Sequence, residues 1–279
     1  MSVSRRSRRP HRPDRPHRQD LYRVAVQHPE TEVRFLMKCY RRYRRAWPTR
    51  LKEDFCGGAH VAAEWVTMGD EMRALAVDHH GPTLRHAERV HAPLLEAREG
   101  DLHLVCADVR EITRPQVQVI AALNFSVLIY HDPASMLAYL RAARRSLSPD
   151  GVLVLDLFGG PGAMHPGEQT RSCPGDPEIG IEPFDYHWQQ RDYDAVSGRI
   201  DCRIHFTLAD GTRIDRAFRY DWRLWSIAEL TELLRTAGFA RAEVWCDRYE
   251  PGRGRDGVFR PVRRMPACED WVAYVVGVR

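Results

Sequence analysis

The sequence predicts an α/β fold: a mostly parallel sheet flanked by helices, with a small antiparallel sheet inserted late in the chain. Three observations carry this reading. Residues 51–65 run as strand, tight glycine turn and helix. Three successive strand-length runs each close on an aspartate, at Asp54, Asp78 and Asp108. Residues 184–220 then change texture, alternating polar and apolar positions with aromatics around an Asp210-Gly211 hairpin signal.

The glycine turn organises the rest. Asp54 closes the first strand. Gly57 and Gly58 make the turn, because glycine accepts φ > 0 and lets a ligand approach the backbone. Ala59 opens a helix whose first N–H groups face the turn. Two adjacent glycines are first of all a loop signal. The next strands add to it. Residues 72–77 end in Asp78 about twenty positions on, the spacing at which a ribose diol finds its acceptor. Residues 102–107 end in Asp108.

The other elements follow in order. Residues 1–20 are rich in Arg, Pro and His and cannot bury a core, so a disordered basic tail is expected. Val33, Leu36, Met37, Tyr40 and Tyr43 repeat at helical spacing within residues 28–47. Residues 59–69 and 83–97 give two crossover helices. Residues 117–123 form a continuous apolar strand, as expected for one buried on both faces, and Asn124 and Phe125 follow it. Asp132 caps a helix that begins at Pro133. Ser148-Pro149-Asp150-Gly151 reads as a turn before a strand at 152–157. Residues 163–182 read as a mobile loop. Ser226 and Glu229 form a capping box for a helix that Gly238 stops. Strands at 242–245 and 271–278 complete the chain, joined across a Gly/Arg-rich loop at 251–264. The expected organisation is the tail, then one domain over 21–279 in which 163–222 is loop plus insert.

This order resembles class I S-adenosylmethionine-dependent methyltransferases over roughly residues 33–279. The stretch Asp54-Phe55-Cys56-Gly57 is similar to a subgroup whose substrates are unassigned. Cys56 and His60 stand where the usual turn has glycines, so the turn must differ locally. The resemblance implies a Rossmann-like sheet of seven strands in the order 3-2-1-4-5-7-6, with strand 7 antiparallel. It implies S-adenosylmethionine as cofactor. Its methionine part would lie over the turn, its ribose at Asp78 and its adenine amino group near Asp108. The implied cofactor residues are Asp54, Cys56, Gly57, Gly58, Asp78, His79, Asp108, Val109, Asn124 and Phe125. The inserted sheet suggests an acceptor pocket with Tyr130, Tyr186, Trp188 and Trp222. Tyr130, His131, His187 and His205 are candidate bases by type, and no spacing selects one.

Composition narrows the class. The net charge is +4, but residues 1–18 hold seven arginines against Asp14. With +6 in that segment, the remainder carries −2 and is not a basic, nucleic-acid-type body. Seven cysteines, an odd number without a C-x-x-C pair, argue against a disulfide framework or a zinc site, and no metal is expected. Reduced thiols and the lack of a membrane-length apolar run suit a cytoplasmic protein. A small-molecule N or O acceptor is expected. An RNA or protein acceptor docking on the arginines, and an inactive cofactor-binding protein, are the alternatives.

Overall fold

The computed structural model describes residues 15–250, 254–266 and 268–279. Helices α1 (Arg18–Val26) and α2 (Pro29–Tyr43) precede the sheet. Then come β1 (Arg50–Asp54), α3 (His60–Thr67), β2 (Arg73–Asp78), α4 (Gly81–Val90), α5 (Ala92–Ala97), β3 (Leu102–Cys106), β4 (Val117–Ala122), α6 (Pro133–Ser146) and β5 (Leu147–Gly159). The insert is β6 (Gly167–Cys173), β7 (Phe184–Asp194), β8 (Arg199–Thr207) and β9 (Arg213–Arg223). The chain ends with α7 (Ile227–Thr236), β10 (Arg241–Cys246), β11 (Tyr249–Glu250), β12 (Gly254–Arg255), β13 (Arg260–Val262) and β14 (Trp271–Val278).

The main sheet has the order β13-β10-β14-β5-β4-β1-β2-β3. Strands β1 to β5 pair in parallel, and β14 runs antiparallel to both β5 and β10. This is the expected order with one strand added. The segment read as a loop at 251–264 supplies β13, which covers the open edge of β10. Pro261 sits there opposite Trp245, an edge position where its missing N–H costs no ladder bond.

The central strands are apolar on both faces because both are covered. Val33, Leu36 and Tyr40 of α2, with Val61 and Trp65 of α3, pack on Leu51, Ala121, Val154 and Val276. Met136, Tyr139 and Leu140 of α6, with Leu230 and Leu234 of α7, pack on Ile120, Leu153, Leu155 and Val275. Buried side chains of this size contribute about 1.5–3 kcal/mol each, so the two layers fix the sheet.

Four local expectations need correction. Residues 18–20, read as part of a disordered tail, belong to α1; residues 1–14 lie outside the described residues. Leu21 and Ala25 bury against the insert, while Gln19 Nε2 bonds Thr83 Oγ1 at 3.2 Å and Asp20 meets His86 at 2.7 Å. The helix over 83–97 is two helices, because Pro93 cannot donate to the preceding turn. Ser148–Gly151 is not a separate turn; it lies within β5, with a register shift against β4 between Val117 and Val119. Residues 163–182 contain β6, paired with β7 from Gly167↔Gln190 to Cys173↔Phe184. Its side chains are exposed up to Cys173, so no alternation marked it.

Among the described residues no helix is long and apolar enough to cross a membrane.

Candidate functional site

The parallel pairing sets the tips of β4, β1, β2 and β3 side by side. Asp54 faces Val77 across β1–β2, Asp78 faces Cys106 across β2–β3, and Glu53 faces Ala121 across β1–β4. The chain reverses its order around β1, and ligands of open α/β sheets bind at that switch point.

The backbone of the turn is left-handed at Phe55 (φ 58°), Gly57 (φ 51°) and Ala59 (φ 54°). Cys56 N–H donates to Val77 O at 3.1 Å, tying the turn to β2. Gly57 N–H donates to Asp78 Oδ2 at 2.9 Å, and His80 N–H to Oδ1 at 2.8 Å. One carboxylate therefore fixes both the β1 turn and the start of the β2 turn. A side chain on Gly57 would enter open space, whereas a Cβ on Gly58 would sit 2.7 Å from His60 Nε2. The turn thus accommodates His60 by leaving position 58 bare. His60 is buried, its Nε2 has no partner, and burial pushes its pKa down to about 3. His91 stands edge-on to it, with Nε2 2.8 Å from Gly58 O.

Three expected cofactor residues, Asp54, Val109 and Cys56, have buried side chains. Asp54 is fully enclosed. Its Oδ1 is 2.8 Å from Lys52 Nζ, and its Oδ2 accepts from Tyr139 OH at 3.0 Å. Burial raises the Asp54 pKa while Lys52 and Tyr139 hold it down. The Val109 side chain is buried, and its carbonyl accepts from Lys52 Nζ at 2.9 Å. The Asp54 carboxylate therefore faces Lys52 and Tyr139 in the interior, not the open sheet edge where the resemblance put it. Cys56 is likewise buried.

Asp78, His79 and Asp108 remain at the edge. The His79 side chain is 78% exposed, with Nδ1 3.7 Å from Asp78 Oδ1. Asp108 is gripped by Arg110, whose Nη2 lies 2.5 Å from Oδ2; these bonds lower the Asp108 pKa. After β4, Asn124 (φ 58°) and Phe125 (φ 60°) are both left-handed, an uncommon state for a bulky side chain. Asp156 on β5 holds it: its two oxygens accept Asn124 N–H and Phe125 N–H, each at 2.8 Å. Burial raises the Asp156 pKa to about 7 against the pull of those two donors. No motif marked this role, since Asp156 sits inside an apolar strand.

A cleft of about 890 Å³ opens beside this turn, between the main sheet and the insert. Asn124, Phe125 and Phe158 line one side; Tyr186, Trp188, Tyr220 and Trp222 line the other, and Tyr22 of α1 joins them. The aromatics form a ladder: Tyr220 and Trp222 stack at 4.2 Å, and Phe158 lies 6.1 Å from Trp222 and 4.9 Å from Phe125. Three of the four expected acceptor residues thus converge. Tyr130 does not. It is buried, stacked 5.3 Å from Tyr139, with Arg110 5.9 Å above its ring, so that expectation is corrected. Gly57, Asp78 and Asp108 are not in the cleft lining; they occupy the adjoining stretch of the same sheet edge.

The candidate histidines are engaged elsewhere. His131 Nε2 is 2.8 Å from Asp221 O, His187 lies between Thr170 and Thr207 hydroxyls, and His205 Nδ1 is 2.9 Å from Asp215. None lines the cleft, whereas His165, which no motif marked, does. His17, Asp20 and His86 bring ligating atoms within 4.8 Å of one another. The two rings stack at 3.7 Å with planes 20° apart, so their lone pairs run side by side. This cluster ties α1 to α4.

No family model and no curated protein matches the sequence. Solved structures do match. A S-adenosylmethionine-dependent methyltransferase from Clostridium acetobutylicum has a TM-score of 0.63 at 16% identity, covering 93% of this chain and 95% of its own. The sugar N-methyltransferase KedS8 from Streptoalloteichus sp has a TM-score of 0.62 at 20% identity, covering 100% and 98%. DesVI from Streptomyces venezuelae reaches 0.66 at 15% identity, covering 92% and 94%. At these identities the likeness speaks to architecture: the chain has the class I S-adenosylmethionine-dependent methyltransferase fold.

Proposed function

We propose that this protein is a S-adenosylmethionine-dependent methyltransferase whose acceptor is a small molecule, methylated on N or O. The observation that carries this is the adjacency of a polar nucleotide-type edge and an aromatic cleft, which meet at Asn124 and Phe125.

The residues at the edge suit the cofactor. Space is open above Gly57, where a methionine chain would pass. Each Asp78 oxygen accepts one backbone N–H, which leaves lone pairs for ribose hydroxyls. Asp108 offers an acceptor for an adenine amino group, and the exposed ring of His79 can cover the base. When bound, the cofactor supplies the electrophilic methyl. The protein's work is then to orient the acceptor and exclude water. Trp188, Tyr220 and Trp222 give flat apolar faces for that task. Asp156 fixes Asn124 and Phe125, so the rim of the cleft is set before any ligand arrives. An amine acceptor needs little help beyond loss of a proton. An amine on a sugar is the acceptor type we favour, in line with KedS8, described as a sugar N-methyltransferase.

The test is transfer of labelled methyl from S-adenosylmethionine into fractionated cell extract. Label in the low-mass fraction supports the reading. Label confined to RNA or protein would overturn the acceptor class, and no transfer to any fraction would count against the enzyme.

A further inference from the structure

The cleft has two unlike ends. Its walls beside Asn124 and Phe125 are aromatic, whereas the far end is built by the C-terminal segment: Asp247 after β10, Arg255 of β12 and Asp270 before β14 line it. The register fixes the separation. Asp156, which holds the Asn124–Phe125 turn, stands opposite Tyr274, and Asp270 precedes Tyr274 by four residues. At about 3.3 Å per residue, this end lies roughly 13 Å along the strand from the level of Asp156.

Asp247 is a buried acid with one oxygen unused. Its side chain is 7% exposed. Oδ1 accepts from Arg255 Nη1 at 2.7 Å and lies 3.7 Å from Cys246 Sγ. Oδ2 takes no hydrogen bond and is not among the enclosed atoms, so it opens on the cleft. Arg255 also donates from Nη2 to the main-chain carbonyl of Asp270, which draws the two aspartates to one guanidinium. The Asp270 carboxylate lies across Gly162, where a Cβ would collide with Oδ1. Among the described residues no donor meets that carboxylate. The other charged groups of the lining are taken up elsewhere. Glu168 accepts from Gln189 Nε2, and Arg171 donates to Ala25 O and lies 5.2 Å from the centre of the Tyr186 ring. Two carboxylates therefore share one guanidinium at this end, which leaves one net negative charge in the cleft.

Such an end selects by charge. A neutral hydroxyl would leave that charge without a counterion, and a carboxylate or phosphate would add to it. An ammonium neutralises it and brings several N–H donors to the open oxygens of Asp247 and Asp270. We propose that this end binds a second ammonium group of the acceptor, one that is not itself methylated. The methylated nitrogen must be neutral when it attacks, so it is not the group held here as a cation. The acceptor is then a molecule of oligosaccharide size with two or more amines. This rests on the methyltransferase reading above and adds to it the number and spacing of the acceptor's charges.

The experiment is calorimetric titration of the full-length protein, saturated with S-adenosylhomocysteine, with the glucosamine trisaccharide and with its fully N-acetylated form. The pH is one at which the free amines are protonated. Wild type, Asp270→Asn and Glu168→Gln are compared, and wild type and Asp270→Asn are also melted without ligand. Wild type should bind the free-amine trisaccharide at least about tenfold more tightly than the acetylated one. Asp270→Asn should lose most of that preference, Glu168→Gln should keep it, and Asp270→Asn should melt with wild type. Glu168→Gln removes the same charge from another part of the lining, so an equal loss there would reduce the effect to the general field and overturn the proposal. Equal affinity for the two trisaccharides in wild type overturns it, as does a preference untouched by Asp270→Asn. A lowered melting temperature in Asp270→Asn overturns it too, by making Asp270 a residue of the fold. Binding of S-adenosylhomocysteine but of neither trisaccharide overturns the proposal and leaves the enzyme reading standing. If S-adenosylhomocysteine does not bind, both fail.

Discussion

Replacing Asp78 by alanine probes the edge at its most connected point. The carboxylate receives Gly57 N–H at 2.9 Å and His80 N–H at 2.8 Å, and its side chain is only 13% exposed. Bonds to a charged acceptor contribute about 1.5–3 kcal/mol each. Water can reach part of this edge, so the lower end applies, giving roughly 3 kcal/mol for the pair. At about 2–4 °C per kcal/mol for a chain of this size, the melting temperature should fall by about 6–12 °C. Cofactor binding should weaken by a further 1–3 kcal/mol or so, about 5- to 150-fold, through the lost ribose acceptor. Asp78→Asn keeps one acceptor oxygen and aims an amide N–H at another donor, so it should fall between wild type and alanine. Scanning fluorimetry and calorimetric titration with S-adenosylhomocysteine read the two effects separately. A melting point within about 2 °C of wild type would refute the turn-clamp role. Wild-type affinity in a destabilised variant would confine Asp78 to structure.

Other perturbations follow from the same geometry. Lys52→Met strips the buried Asp54 of its cation and should cost about 3–5 kcal/mol in urea unfolding; a change under about 1 kcal/mol would mean the pair is not ionised. Trp188→Leu removes a cleft wall and should raise the acceptor KM while leaving cofactor affinity unchanged; a shift in cofactor Kd would contradict the division of the site. His60 supplies a pH test. Its folded pKa is lowered to about 3 against an ordinary value of 6.5, so its contribution to stability is full above pH 6.5 and lost as pH falls from there toward 3. Relative to His60→Gln, wild type should lose up to about 1.4 kcal/mol per pH unit below 6.5. Parallel stability curves for the two proteins would contradict a neutral, buried His60.

Much of the architecture was legible because it depends on local pattern. Apolar runs of strand length closed by an acid announced β2 and β3, the glycine turn after Asp54 announced β1, and the Ser226–Glu229 capping box marked the start of α7 as it stands in the structure. What escaped depends on partners distant in sequence. Tyr139 of α6 captures Asp54 together with its near neighbour Lys52, so an acid at a strand tip faced inward rather than outward. Asp156 reads as an oddity in an apolar strand until β4 and β5 are aligned; only then do the N–H groups of Asn124 and Phe125 meet it. Strand β6 carries no alternation because its side chains are exposed on both faces up to Cys173. The placement of α1 rests on side chains far along the sequence: Thr83, His86 and Asp176. Of the aromatic alternation at residues 184–188, Tyr186 and Trp188 line the cleft while Phe184 packs into the core of the insert, and Tyr130, chosen for its position after β4, packs into the main core.

A crystal structure with S-adenosylhomocysteine bound is the most direct test of how this edge works. The ribose hydroxyls should lie within hydrogen-bond distance of Asp78, the adenine beside Asp108, and the sulfur facing the cleft at Asn124 and Phe125. Density for the nucleoside anywhere other than the tips of β1, β2 and β3 would contradict the assignment of this site.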